Sequence, residues 1–139
     1  RAELGRRSQA IADLQRLVQA HPDLGAAHWF NLAFLLDEAE RFDEAEGAFR
    51  RAVALDPQLD RAWYGLGLVL IRQQRYDEAV AALKRNTELQ PMSPYGWYQL
   101  ARVQVDRQQP DEARKIIRHL KGFEPKVADQ LVRETGLDP

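Results

Sequence analysis

Apolar residues recur along the chain with the period of an α-helix, and one segment is apolar on two faces. In residues 61–71, RAWYGLGLVLI, the side chains of Trp63, Leu66 and Leu70 share one helical face. A helix that is apolar on more than one side is buried or contacts more than one neighbour. This segment therefore needs two partners, because its second face carries a further set: Arg61, Tyr64, Leu68 and Ile71.

Landmark residues return at a fixed interval. Tryptophans are separated by steps of 34 residues (63 − 29 and 97 − 63), and prolines keep the same step. Such self-similarity is typical of repeat architectures. The recurring residues are Trp29, Trp63 and Trp97 in one column and Pro57, Pro91 and Pro125 in another.

The interval divides the chain into repeats over 26–59, 60–93 and 94–127, preceded by an incomplete repeat over 1–25. Pro22 and Pro57 are 35 residues apart (57 − 22), so the first junction carries one extra residue.

Each repeat contains signals for two helices. Asp60 and Ser93 precede the first apolar segment and are typical N-cap residues, and Pro94 suits the first helical position. The second segment begins with Asp-Glu-Ala, and Asp43 and Glu46 have the spacing of a capping box. A proline then stops the second helix. We therefore predict a helical hairpin in each repeat.

These residues resemble the tetratricopeptide repeat family. The resemblance implies an all-α fold, an α-solenoid of antiparallel helical hairpins that forms a right-handed superhelix, with the first helix of each repeat lining the concave surface. It also implies that small residues lie where helices cross closely. In the middle repeat, the residues that carry the resemblance are Trp63, Leu66, Gly67, Ala79, Leu83 and Pro91.

The resemblance covers residues 4–127 and leaves a short C-terminal tail. Residues 1–25 match the second half of a repeat, so we expect the tail of one helix and then a complete helix that ends at His21 and Pro22. Residues 128–139 are expected to form a C-terminal capping helix or tail. The incomplete first repeat leads us to expect an excised part of a longer protein.

The second face of each first helix is predicted to line the groove. Phe30, Tyr64 and Tyr98 form one aligned column opposite the tryptophans. Apolar patches of this kind tend to mark binding sites, although aromatic residues also pack between helices and arginines are usually solvated. The predicted groove residues are Phe30, Phe34, Tyr64, Leu68, Ile71, Tyr95, Tyr98 and Arg102, with Arg61 and Arg72 as rim contacts.

One specialisation of the family clamps the C-terminal carboxylate of a partner. The resemblance implies lysine, asparagine or arginine at positions five and nine of the first helices in such repeats. Only Arg102 fits this requirement, so binding of EEVD-type tails is not expected. The residues at these positions are Phe30 and Phe34, Tyr64 and Leu68, and Tyr98 and Arg102.

Composition argues against nucleic acid and membranes as partners. The 20 basic and 21 acidic residues give a formal net charge of −1, so no general attraction to nucleic acid or an anionic membrane is expected. No apolar run is long enough to insert into a membrane. The absence of cysteine fits both cytoplasm and periplasm, and the excess of arginine over lysine favours a bacterial source.

Residues suited to catalysis are scattered. His21, His28 and His119 lack partners at a zinc-binding spacing, and the chain has only two serines, Ser8 and Ser93. We therefore expect no enzyme, no cofactor and no metal site.

Two polar residues, Asn86 and Gln104, occupy columns that are otherwise small or apolar. Because an unpaired buried polar group costs about 1–3 kcal/mol, each is expected to be hydrogen-bonded or turned to solvent.

The favoured function is a non-catalytic module that binds a peptide or helix of a partner protein in the aromatic groove. The alternative is a scaffold or substrate-presenting segment of a larger enzyme, such as a glycosyltransferase, or of a bacterial secretion or pilus assembly factor. A third is self-association through the incomplete first repeat, which would leave Ile11, Leu14 and Val18 partly uncovered.

Overall fold

The chain folds into helices joined by short turns. The computed structural model describes the backbone of residues 2–139 and the side chains of residues 5–139. Over this part of the chain the prediction of an all-α fold is confirmed. The helices are α1 (Ala2–Ala20), α2 (Ala26–Glu38), α3 (Phe42–Leu55), α4 (Asp60–Arg72), α5 (Tyr76–Leu89), α6 (Pro94–Asp106), α7 (Pro110–Lys121) and α8 (Pro125–Thr135).

The helices stack in two layers, in the manner of a solenoid. Each helix packs against the next one along the chain. In addition, α4 contacts both α2 and α6, and α6 contacts α8. We call α2, α4, α6 and α8 the inner layer and α3, α5 and α7 the outer layer. Within residues 2–139, outer-layer helices make no backbone contact with one another. Since the inner helices converge and the outer ones diverge, the inner layer forms the concave face.

Small residues allow the helices of each hairpin to approach closely, as predicted. A Cβ atom on Gly67 would lie 2.8 Å from Cγ of Leu83, which is too close for an unshifted side chain. The helix-propensity cost of this glycine, about 1 kcal/mol, is thus offset by packing. The small residues in the two columns are all buried: Ala33, Gly67 and Ala101 in the inner layer, and Ala45, Ala79 and Ala113 in the outer layer.

The turn after each complete inner helix of the repeats uses a left-handed residue that is not glycine. Glu40, Gln74 and Gln108 have φ angles of 61°, 60° and 60°. In the middle repeat, the amide of Arg75 donates to the carbonyl of Leu70 at 2.9 Å, the long bond of a Schellman motif. This bond closes the hairpin without a glycine to mark it.

Two of the predicted helix caps, Asp60 and Asp43, are wrong in detail, whereas Ser93 is the N-cap residue of α6 and Pro94 its first residue, as predicted. Asp60 is the first residue inside α4, and Leu59 takes the N-cap position. Asp43 likewise lies in the first turn of α3, after an N-cap at Arg41, and neither helix has a side-chain cap hydrogen bond. The acidic side chains instead lie beside the positive ends of the helix dipoles, which they stabilise.

Proline ends the outer helices in two repeats but begins a helix after the third. Helices α3 and α5 end at Leu55 and Leu89, ahead of Pro57 and Pro91. Pro125 is instead the first residue of α8, a position where its missing N–H group costs nothing. We expected the terminal helix to start at residue 128. It starts three residues earlier, at Pro125.

The N-terminal segment is one helix, not the tail of one helix and a second. No proline interrupts α1, which runs continuously to Ala20, just before His21 and Pro22. Ile11 and Val18 are only 1% and 3% exposed because α1 packs on α2. Two of the three residues that suggested self-association are therefore covered within the chain, whereas Leu14 is half-buried.

The tryptophan column ties each inner helix to the preceding loop, except in the first full repeat. The indole N–H of Trp63 donates to the carbonyl of Pro57, and that of Trp97 to Pro91, both at 2.8 Å. The buried indole N–H of Trp29 has no partner among the described residues. Trp29 lies seven residues after Pro22 (29 − 22), one more than in the other two repeats, and the carbonyl of Pro22 accepts from Arg51 at 3.1 Å instead.

This difference predicts unequal effects of replacing tryptophan by phenylalanine. Trp63→Phe removes a hydrogen bond as well as ring volume, whereas Trp29→Phe removes an N–H group without a protein partner. We expect Trp63→Phe to lower the free energy of unfolding by about 1 kcal/mol more than Trp29→Phe, measured in denaturant melts. Trp97→Phe should match Trp63→Phe. Equal losses at Trp29 and Trp63 would contradict this account.

The two polar residues in apolar columns are hydrogen-bonded, which confirms that prediction. The side-chain amide of Asn86, buried between α4 and α6, donates to the carbonyl of Asp60 at 2.9 Å. The side-chain carbonyl of Gln104 accepts from Arg107 at 2.9 Å. Gly96 makes room for Asn86, since a Cβ atom there would lie 2.1 Å from the amide oxygen.

Candidate functional site

The largest cavity on the inner layer lies between α2 and α4 and is floored by α3. Its volume is about 640 Å³, and most of its lining is carbon. We call this cavity the apolar pocket. It is lined by Phe30, Asn31, Phe34, Leu35, Asp37, Phe49, Arg61, Tyr64, Gly65 and Leu68.

Three phenylalanines shape the apolar pocket. The ring of Phe30 stacks on that of Phe34 with centroids 6.4 Å apart and meets the edge of Phe49 at 6.0 Å. Phe49 is buried, whereas Phe34 is 49% exposed. The pocket thus has a fixed aromatic floor and an open aromatic rim.

Gly65 allows Phe49 to reach the inner layer. A Cβ atom on Gly65 would lie 2.4 Å from two atoms of the Phe49 ring. Gly65, the first glycine of RAWYGLGLVLI, is therefore explained by a side chain of the outer layer, as Gly67 is by Leu83. Sequence reasoning placed no such role on Gly65 and missed Phe49 altogether, although a glycine between apolar residues in a helix signals a close approach.

Tyr64 lies at the centre of the concave face because it lines two further cavities. The tyrosine cleft, of about 290 Å³, lies between α4, α6 and α8 and is lined by Tyr64, Pro94, Tyr95, Tyr98, Gln99, Val127 and Gln130. The polar cleft, of about 320 Å³, lies at the start of α4 and α6 and is lined by Asp60, Arg61, Tyr64, Asn86, Gln90, Ser93 and Tyr95.

The three arginines that the sequence placed at the groove differ in their contacts. Arg72 forms an ion pair with Asp37, and its guanidinium lies 5.5 Å from the ring centroid of Phe42. Arg102 pairs with Glu134 at 2.8 Å. Arg61 lies 4.9 Å from the ring centroid of Phe30 and has no ion-pair partner among the described residues. Arg61 is therefore the arginine of this set whose charge the described residues do not pair.

The C-terminal end of the face is engaged by α8. The hydroxyl of Tyr98 donates to Glu134 at 2.5 Å, and Arg102 donates to that hydroxyl at 3.1 Å. The bond to Glu134 raises the pKa of Tyr98 and lowers the pKa of Glu134. Its contribution is lost as the pH rises through the Tyr98 pKa or falls through the Glu134 pKa, so the contact persists at neutral pH.

Two predicted groove residues, Ile71 and Arg102, lie apart from these cavities. Ile71 is half-buried and packs against the apolar core on both sides of α4. Its helical angle is correct, but neighbouring side chains cover it. Ile71 and Arg102 thus stay predictions without a cavity beside them, while Phe30, Phe34, Tyr64, Leu68, Tyr95 and Tyr98 line the concave cavities.

The described residues offer little for chemistry. Residues 5–139 contain no cluster of histidine, aspartate or glutamate side chains arranged to hold a metal ion. His119 lies between Trp97 and Phe123, with ring centroids 4.6 and 5.2 Å away. Among the helices described, none has the length and apolar character required to cross a bilayer.

Comparison with family models covers nearly the entire chain. Tetratricopeptide repeat models match residues 1–60, 30–94 and 70–132. The chain belongs to the tetratricopeptide repeat family. Proteins of this family are in general non-catalytic modules for protein interaction, and the chain has the fold of such a module.

Solved tetratricopeptide structures share this fold at low sequence identity. A crystal structure of MamA superposes with a TM-score of 0.83 and 19% identity, covering 98% of this chain and 82% of that one. MamA from Desulfovibrio magneticus RS-1 gives a TM-score of 0.79 and 18% identity, covering 90% and 70%.

A further solved relative is YrrB, described as a tetratricopeptide protein with an unusual peptide-binding site. It gives a TM-score of 0.68 and 21% identity, covering 81% of this chain and 57% of that one. No curated protein sequence matches the chain. These similarities establish the solenoid fold of the tetratricopeptide module.

Proposed function

We propose that the concave face binds a peptide segment of a partner protein, with Tyr64 at the centre of the contact. The observation that carries this proposal is the position of Tyr64, whose side chain lines all three cavities. A chain crossing the face from α2 to α6 would therefore contact Tyr64 whichever cavities it filled.

Exposed aromatic area supports the proposal. Phe34 and Tyr95 are 49% and 70% exposed, and they lie on the apolar pocket and the tyrosine cleft. Aromatic residues that end in well-packed pockets dominate the energy of protein interfaces. The volume of the apolar pocket also falls in the range of about 300–1,000 Å³ typical of ligand sites.

The test uses 12-residue peptides selected from a displayed random library on the immobilised 139-residue chain. Tyr64→Ala should weaken the selected peptides by about 1–3 kcal/mol, about 5- to 150-fold in Kd, because an aromatic anchor is lost from the centre of the contact. Isothermal titration measures the affinity, and circular dichroism melts should stay nearly unchanged.

Met92→Ala is the matched control. Met92 is a large apolar side chain, 69% exposed, in the loop before α6, and it does not line the three concave cavities. The control should bind the peptides as the unmodified chain does. Selected peptides that bind Tyr64→Ala with full affinity would refute a concave binding face.

A further inference from the structure

The apolar pocket carries one charge that the fold does not neutralise. Two charged residues line it, Asp37 and Arg61. Asp37 is paired with Arg72, so its carboxylate is already engaged. Arg61 has an aromatic ring beside it but no carboxylate partner within residues 5–139. The pocket is therefore carbon-lined with a single available cation.

The orientation of Arg61 favours a particular contact. Its guanidinium lies against the ring of Phe30, and packing on an aromatic face is typical of arginine. A guanidinium held in this way keeps N–H groups at its edge, which match the two oxygens of a carboxylate. Phe30 thus restricts the position of the Arg61 guanidinium, and the N–H donors of Arg61 remain available.

The position of Arg61 sets the spacing in a ligand. Arg61 lines both the apolar pocket and the polar cleft, so it stands at the boundary between carbon-lined and polar surface. An extended peptide advances about 3.3 Å per residue. A carboxylate that reaches Arg61 must therefore be close in sequence to the side chain in the pocket.

We propose that the apolar pocket and Arg61 together recognise a peptide in which a bulky apolar side chain stands within two residues of an aspartate or glutamate. The apolar side chain fills the space between Phe34 and Phe49, and the carboxylate accepts hydrogen bonds from Arg61. This inference rests on the proposed function and specifies the chemistry of its ligand.

The peptides selected on the unmodified chain also test this inference. Each is synthesised with its acidic residue and with the amide in its place, and both forms are titrated against the unmodified chain and against Arg61→Gln. The loss of a charge-assisted hydrogen bond is expected to weaken binding about ten-fold in either single change. Making both changes should give little further loss, because they remove the same contact.

Arg118→Gln is the matched control for charge. Arg118 is exposed on α7 in the outer layer, away from the concave cavities, and its replacement changes the net charge equally. It should leave every affinity unchanged, and circular dichroism melts should verify that both variants are folded.

The outcomes separate this inference from the proposed function. Peptides that depend on Tyr64 but respond neither to Arg61→Gln nor to loss of their own carboxylate would overturn the acidic requirement and leave the concave face as a binding site. Peptides that do not depend on Tyr64 would overturn both. An equal loss with Arg118→Gln would mean that only long-range charge matters, which also overturns the specific contact.

Discussion

Replacing Trp63 by alanine is expected to lower the free energy of unfolding by about 3 kcal/mol, the lower end of the range for removing a large aromatic side chain from a core. Trp63 packs against the apolar core, and its indole N–H ties α4 to the carbonyl of Pro57. The Trp63→Ala variant loses both the core packing and this hydrogen bond. Because repeats in a solenoid stabilise their neighbours, loss of this side chain should also unfold adjacent hairpins.

Denaturant melts followed by helical circular dichroism measure this effect, with Tyr64→Ala as the control from the next position along the helix. Trp63 and Tyr64 are both half-buried, but Tyr64 lines three cavities and makes no side-chain hydrogen bond within the described residues, so its removal should leave the melt nearly unchanged and act on peptide binding. If Tyr64→Ala destabilised the protein as much as Trp63→Ala, Tyr64 would be a core residue, and the concave face would lose its central contact.

Alanine at Gly65 is expected to destabilise the protein by about 1–2 kcal/mol, although alanine is the better helix former. The substitution gains about 1 kcal/mol of helix propensity. It also places a Cβ atom 2.4 Å from the ring of Phe49, and overpacking of this kind costs about 1–3 kcal/mol or more. Since Phe49 is buried, its ring has little room to move away.

Gly47→Ala is the matched control, with the opposite expected sign. Gly47 lies inside α3, and a Cβ atom there would meet no other atom within 4 Å. The same substitution should therefore stabilise the protein by about 0.5–1 kcal/mol. Denaturant melts of the two variants directly compare the free-energy cost of overpacking at Gly65 with the gain in helix propensity at Gly47. Stabilisation by Gly65→Ala would show that Phe49 is free to shift, and the floor of the apolar pocket would then be adaptable.

Part of the candidate site could be predicted from the sequence. The column of Phe30, Tyr64 and Tyr98 follows from the repeat interval and the helical angle, and both are local properties. The contacts of this column could not be predicted in the same way. Tyr98 is bound by Glu134, which lies on the terminal helix, whereas Tyr64 faces open cavities. Equivalent positions therefore differ because different neighbours cover them.

The sequence by itself determined the repeat interval, the helical hairpins and the small residues at their crossings. These features depend on side-chain periodicity and on backbone preferences within about 34 residues, which recur in each repeat. Only the tertiary structure decided which side chains bound the apolar pocket, which arginine lacks a carboxylate, and why Trp29 loses the bond that Trp63 makes. Each depends on distances between atoms of different helices or loops. A shift of one residue or one ring is enough to change them, and the repeat pattern does not encode shifts of that size.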